Sequence, residues 1–421
     1  MSKTSSAAQT GTGPQKYART LILAVAFLVL AGWVMLLDTG LIFQGQADYA
    51  HFSSLVQKRA LCSLIGVIVL VALWVIPPDR LRSFSIWMMP LSIGLLALVW
   101  SPLGIVERGC RRWVAIGPIA FQPLEFAKLT TVWFLAHTFA GLGPLHKARA
   151  SHLIVPILLC AAVVGMVGAQ PNLSGAVFLI LIAFIMAWIG GVNLRLAVPM
   201  VLGGLGVFAG LIALNPDRLA RFLPVISPLR DLQGVGYQAG LSLWAVTRGG
   251  LFGLGPGGSV AMYSLPDHTT DFIYSIICEE WGVAGGILVI GLFGLLGWSA
   301  FRLALMQRDT FRLMLGCGVA AMLVLQAGIN IGVTLGVFPT TGIPLPFISA
   351  GGSSLVLTLG EVGLLLNLGR TAGVQIAREQ RVPGCNTPRA LHREEVAASP
   401  GSKYGRGDRV VYSDRRRRIA R

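Results

Sequence analysis

Ten runs of mostly apolar residues, each close to the length needed to cross a bilayer, set the first limit on how this chain can fold. They lie at about 21–43, 61–77, 84–101, 124–140, 151–168, 173–190, 195–214, 272–300, 312–335 and 353–369. A helical span needs about 20 predominantly apolar residues. None of these runs alternates with period two, so barrel strands are excluded, and helices alone satisfy every backbone group within one segment. The expected fold is therefore an all-α polytopic membrane protein of about ten transmembrane helices. Only 12% of the residues are charged, against roughly 25% in soluble domains. Lys16 and Arg19 before Leu21–Leu37 could open a signal peptide, but the run is long and no small-residue cleavage site follows. A retained first span is expected.

An even number of spans puts both termini on one side. With both tails and loops 77–83, 141–150, 191–195 and 301–312 in the cytoplasm, 24 of the 34 Lys and Arg lie there and 10 lie outside. That asymmetry fits the positive-inside rule. The domain organisation expected is a cytoplasmic N-terminal tail (1–19), a ten-helix membrane domain (20–370) and a basic, disordered cytoplasmic tail (371–421). A structured outer loop, 215–271, joins helices seven and eight. Counted from Arg370, the basic tail holds 13 Lys and Arg, including Arg415–Arg418. It suits anionic lipid headgroups; no nucleic-acid recognition motif accompanies the charge. Six scattered cysteines form no Cys-x-x-Cys pair, so neither a disulfide framework nor a zinc site is implied.

The polar residues that interrupt this apolar background carry the functional signal. The loop end Leu265-Pro266-Asp267-His268-Thr269-Thr270-Asp271 runs straight into the eighth span, which still holds Glu279 and Glu280. Ionisable groups at such places mark sites of chemistry or transport. Asp271 can serve as a general base raised by desolvation, or as the helix N-cap. Glu279 and Glu280 read as structural. Arg111-Arg112-Trp113 lies outside, against the positive-inside bias; its guanidinium forks suit phosphate and Trp113 suits the headgroup level. Glu125 and Lys128 share one helical face, as a structural ion pair or as a polar notch that meets an anionic substrate. Pro339–Ser354 is a Pro/Gly break, tolerated at membrane depth only where it lines a protein cavity.

In order, the sequences Arg111-Arg112-Trp113, Phe121-Gln122-Pro123-x-Glu125-Phe126-x-Lys128, Gln170-Pro171-x-Leu173, Gly236-Tyr237-Gln238, Asp271-Phe272-Ile273, Glu279-Glu280-x-Gly282 and Pro344-x-Pro346-Phe347-Ile348-Ser349-x-Gly351-Gly352-Ser353-Ser354 resemble the SEDS family over about residues 20–370. That family comprises the division protein FtsW, the elongation protein RodA and the sporulation protein SpoVE. The resemblance implies a bacterial cytoplasmic (inner) membrane enzyme that polymerises lipid II at the outer face. It also implies a class B penicillin-binding transpeptidase and other divisome proteins as partners, at the division septum. Residues 218–238 are more similar to the FtsW loop than to that of RodA. The catalytic set implied is Asp271, Glu125 and Lys128, with Arg111, Arg112, Trp113, Gln238, Arg248, Ser349 and Ser353 binding substrate. The resemblance implies no definite cofactor; a divalent cation, magnesium or manganese, could help neutralise the pyrophosphate. Five positions depart from the family pattern: Leu124, Asn172, Leu241, Ala350 and a histidine shifted to His268. They keep a weakly active scaffold as an alternative, beside an elongation-type polymerase and a lipid II flippase.

Overall fold

The computed structural model describes residues 13–39, 46–107, 110–117, 119–142, 150–192, 203, 206, 210 and 236–381. Two units are distinguished, Met1–Gln375 and Ile376–Arg421; the second contributes the last residues of one helix, to Arg381. The expected span at 195–214 and loop residues 215–235 lie outside the described residues, apart from Gly203, Gly206 and Gly210.

Nine long helices are described: α1 (Gly13–Thr39), α2 (Gln46–Val75), α3 (Pro78–Leu98), α4 (Pro123–Leu142), α5 (Ala150–Ala169), α6 (Leu173–Ile189), then, after two short helices, α9 (Ile273–Leu305), α10 (Thr310–Thr334) and α11 (Gly352–Arg381). The short helices are α7 (Tyr237–Arg248) and α8 (Ala261–Ser264). Seven of the nine are long and apolar enough to cross a membrane, among the described residues; α6 is apolar but shorter. Helix α4 carries Glu125 and Lys128 and is buried along most of its length. Helix α2 starts well before the expected 61–77. Residues 46–60 contain no Gly or Pro, so nothing stops the helix from extending backward. Lys58 and Arg59, which fall between the expected first and second spans and so among the 10 Lys and Arg expected outside, are thereby part of a helix. Likewise α1 begins at Gly13, within the stretch expected as tail.

The all-α expectation is corrected at one place. Residues 104–121 form a three-stranded antiparallel sheet, β1 (Gly104–Glu107), β2 (Cys110–Ile116) and β3 (Ile119–Phe121), in the order β1-β2-β3. Trp113 pairs with Ile105, and Val114 pairs with both Gly104 and Phe121. Gly117, at φ 60, supplies the left-handed residue of the β2–β3 turn. The segment alternates over only a few residues, too short to stand out beside spans of twenty.

Helix ends are closed by specific donors and acceptors. Asn367 on α11 donates to the carbonyls of Leu73, Trp74 and Ile76 at 2.8, 2.9 and 2.6 Å. It thus satisfies the orphan carbonyls at the end of α2. The Asn172 side chain accepts from the Gly175 N–H at 3.1 Å, capping α6 as an aspartate would. Helix α9 breaks at Gly282 (φ 69, ψ −171). The loop 250–255 fills the break: Leu254 and Gly255 N–H donate to Glu279 and Glu280 O at 3.0 and 2.9 Å. In return Val283 and Ala284 N–H donate to Gly250 and Leu251 O at 2.9 and 3.2 Å. A Cβ at Gly282 would run into the Leu251 carbonyl and the Gly253 amide. The loop before α9 is thus stitched into the helix that follows it.

Candidate active site

Asp271 lies at the end of a tight turn. Asp267, held at the left-handed φ of 58, offers its carbonyl to three amides: Thr270 and Asp271 at 3.0 Å and Phe272 at 3.3 Å. The N-cap position of α9 falls on Phe272, one residue past Asp271. The Asp271 carboxylate is half-buried and faces Gly342, where a Cβ would sit 3.6 Å from its Oδ2. His268 donates from Nδ1 to the Leu265 carbonyl at 3.0 Å. Burial pushes its imidazole below the ordinary histidine pKa, against the opposing pull of the Leu265 carbonyl and Asp267. The shifted histidine is therefore neutral and ties down its own turn.

The Pro/Gly break behind this turn is non-helical from Gly336 to Gly351, and Leu345, Phe347, Ile348 and Ser349 within it are buried. Irregular backbone in the protein interior must find internal partners. Ser349 supplies several: its hydroxyl donates to Thr270 O at 2.5 Å and accepts from Leu345 N at 2.8 Å, while Ala350 N donates to Thr269 O at 2.9 Å. Arg59, only 2% exposed, donates to the carbonyls of Phe347, Ile348 and Ser349 at 2.9, 3.1 and 2.9 Å. Its guanidinium lies 5.7 Å from the Trp33 ring centroid. Phe347 sits at φ 65, a strained conformation for a bulky residue, and the three Arg59 bonds span that strained turn. Gly32 leaves the room the guanidinium occupies.

The polar notch at α4 is closed. Lys128 Nζ and Glu125 Oε1 are 2.7 Å apart, with side chains 4% and 3% exposed. Lys128 also donates to Gln326 Oε1 at 2.7 Å and lies 5.0 Å from the Phe178 ring centroid. Glu361, buried on α11, shares this electrostatic neighbourhood. In turn Gln326 Nε2 donates to the Pro344 carbonyl at 3.1 Å.

One helix thus collects the pieces. On α10, Gln326, Asn330 and Thr334 recur every four residues and share one face, and all are buried. Gln326 meets Lys128 and the Pro-rich segment. Asn330 donates to both Asp271 O and Ile343 O at 2.8 Å. The Thr334 carbonyl accepts from Ser242 of α7 at 2.9 Å. An i, i+4, i+8 polar stripe inside an apolar span is a signal legible in the sequence, and it marks residues absent from the expected set, as does the buried Arg59.

The other expected residues take varied places. Arg111 is exposed and Trp113 half-buried on the sheet. The Arg112 guanidinium donates to the carbonyls of Gln170 and Pro171, fastening the sheet to the α5–α6 turn. Ser353 accepts from Gln122 N at 3.1 Å and donates to Ala120 O at 3.0 Å. Gln238 is half-buried on α7. Arg248 pairs with Glu279 at 3.7 Å and lies 5.0 Å from the Trp244 ring centroid. Glu279 accepts from Ser259 Oγ at 2.5 Å and from Val260 and Ala261 N at 3.1 Å, the structural role expected of it. Among the described residues, no group of three or more His, Cys, Asp or Glu is placed to hold a metal ion.

Comparison with known proteins supplies the family. The sequence profile of the FtsW/RodA/SpoVE cell cycle protein family matches residues 18–373. Stage V sporulation protein E of Bacillus subtilis is 35% identical over 355 residues, covering 83% of this chain and 96% of that protein. The probable peptidoglycan glycosyltransferase FtsW of the same organism is 34% identical over 372 residues, covering 84% and 91%. A chain from a peptidoglycan synthase complex, solved to show how polymerization and crosslinking are coordinated, superposes with a TM-score of 0.70 at 32% identity, covering 84% of this chain and 97% of that one. The rod shape determining protein RodA of Thermus thermophilus gives a TM-score of 0.61 at 30% identity, with 83% and 95% covered. With its fold, motif order and length all matched, this chain belongs to the FtsW/RodA/SpoVE cell cycle protein family.

Proposed function

We propose that this protein is a peptidoglycan glycosyltransferase that polymerises lipid II at the outer face of the bacterial inner membrane. In this reading the membrane domain has ten spans, both termini are cytoplasmic, and the segment between spans seven and eight caps the outer face. The observation that carries the proposal is a half-buried carboxylate, Asp271, whose backbone is clamped at the outer mouth of α9, in a chain of this family.

The chemistry follows from that placement. Asp271 takes the proton of the acceptor sugar hydroxyl as its oxygen attacks the anomeric carbon of the donor. The bond from that carbon to the pyrophosphate oxygen breaks, and undecaprenyl pyrophosphate leaves. The proton then passes from Asp271 to outside water. Charge grows on the leaving pyrophosphate, and exposed cations at the outer face stabilise it. Arg111 and Arg248 are exposed and can meet phosphate. Lys128 is sealed against Glu125 and Gln326, so the pair serves as an internal support for the Pro-rich segment. Trp113 and Gln238 are assigned to the sugar-peptide and headgroup region. Ser349 and Ser353 act by holding backbone in place.

A class B penicillin-binding transpeptidase is the proposed partner, and the division septum the proposed site, because FtsW proteins recur among the relatives. The test is complementation. In a strain depleted of the endogenous protein, wild type should restore septation and Asp271→Ala should not. Rescue of rod shape without septation would assign the elongation role. Rescue by Asp271→Ala would indicate a scaffold, or a flippase if lipid II translocation in liposomes persists.

A further inference from the structure

The Asp271 turn and the Pro-rich segment come from distant parts of the chain, and their backbones converge at one side chain. Asn330 Nδ2 donates to the carbonyls of Asp271 and Ile343, both at 2.8 Å. It is 1% exposed. Gly342, the residue beside Ile343, faces the Asp271 carboxylate. The two bonds therefore fix how far Asp271 stands from the wall opposite it. The Asn330 Oδ1 has no hydrogen-bond partner and is shut off from water. An unsatisfied buried acceptor is costly and calls for an explanation. Here the amide is oriented so that both donors serve the two carbonyls, and its oxygen is left over. One turn earlier on the same face, Gln326 makes the matching link from Lys128 to Pro344 O.

We propose that Asn330 is a positioning residue of the glycosyl transfer reaction: its amide sets the distance and angle between the Asp271 turn and the Pro-rich wall, and so aims the carboxylate at the acceptor hydroxyl. This rests on reading Asp271 as the base. Asn330 touches no substrate. It acts through the Asp271 backbone, so it governs the chemical step rather than binding. A misplacement of about 1 Å can cost about 100-fold in rate.

The experiment uses the full-length protein purified with its cognate transpeptidase and assays lipid II polymerisation. Asn330→Leu, which keeps the volume and removes both donors, should lower kcat about 100-fold with KM nearly unchanged. Asn330→Ser, with one donor, should fall between. Asp271→Glu, which moves the carboxylate by one methylene, provides the coupling test. Loss of aim is then already incurred, so adding Asn330→Ser should cost much less than it does in wild type. The cycle decides the matter even if Asn330→Leu fails to fold. A folded Asn330→Leu with wild-type kcat, or a strictly additive double variant, would overturn the positioning role while Asp271→Ala remained inert. An Asp271→Ala protein with full activity would overturn the base assignment itself, and this inference with it.

Discussion

Breaking the buried pair on α4 should destabilise the centre of the molecule unless both partners go together. Glu125 and Lys128 are 2.7 Å apart and almost fully buried. At an effective dielectric of about 20, two unit charges at that separation attract by roughly 6 kcal/mol. Desolvating both charges offsets much of this, so the pair's net contribution is small, but the cost of leaving one charge alone is not. Lys128→Met strands the Glu125 carboxylate among apolar neighbours and removes the donor from Gln326 Oε1. The loss should be about 3–5 kcal/mol. In detergent or nanodiscs, Lys128→Met and Glu125→Gln should each lower Tm by several degrees and depress polymerisation. The double variant Glu125→Gln/Lys128→Met should recover most of the stability, because it buries no lone charge. If Lys128→Met alone melts like wild type, the pair is not sealed as described. If the double variant melts lower than either single one, the desolvation argument fails.

Other perturbations separate the remaining contacts. Asn172→Ala removes the α6 cap and should cost about 1 kcal/mol, whereas Asn172→Asp should be tolerated; thermal melts of the two decide it. Gly282→Ala meets both a left-handed φ and backbone collisions. It should cost several kcal/mol and release loop 249–258 to limited proteolysis. Arg59→Met leaves three buried carbonyls of the Pro-rich turn without their donor. At about 1–3 kcal/mol for each unsatisfied group, its melting temperature should fall far more than that of Arg59→Lys. His268 has a depressed pKa in the folded turn, so the folded form binds the proton less well than the unfolded one. Its contribution is complete above about pH 6.5 and declines as pH falls below that value. Protection factors of the 265–272 amides, corrected for the intrinsic pH dependence of exchange, should fall in that acid range, and His268→Gln should remove the dependence.

How much of this was legible in the sequence depends on the length over which a signal repeats. The apolar runs were legible because each repeats its message over about twenty residues, and among the described residues seven helices long and apolar enough to cross a membrane fall on them. The sheet at 104–121 was not, since β2 alternates over only seven residues. Arg59 reads as a loop charge when span boundaries are drawn from hydropathy alone. Its actual role depends on carbonyls almost three hundred residues away, which no local pattern reveals. Glu125 with Lys128 was legible from its spacing, and the structure pairs and buries the two side chains. Asn330 stands out as an amide inside an apolar run. Its meaning emerges only when the Asp271 turn and Ile343 are brought together by the fold.

Polymerisation of lipid II by the purified protein with the proposed transpeptidase partner tests the role of Asp271 most directly, comparing wild type with Asp271→Ala. Membrane insertion, partner binding and melting temperature are matched first. Wild type should yield long glycan strands and Asp271→Ala none. Strands of equal length and rate from both would contradict that role.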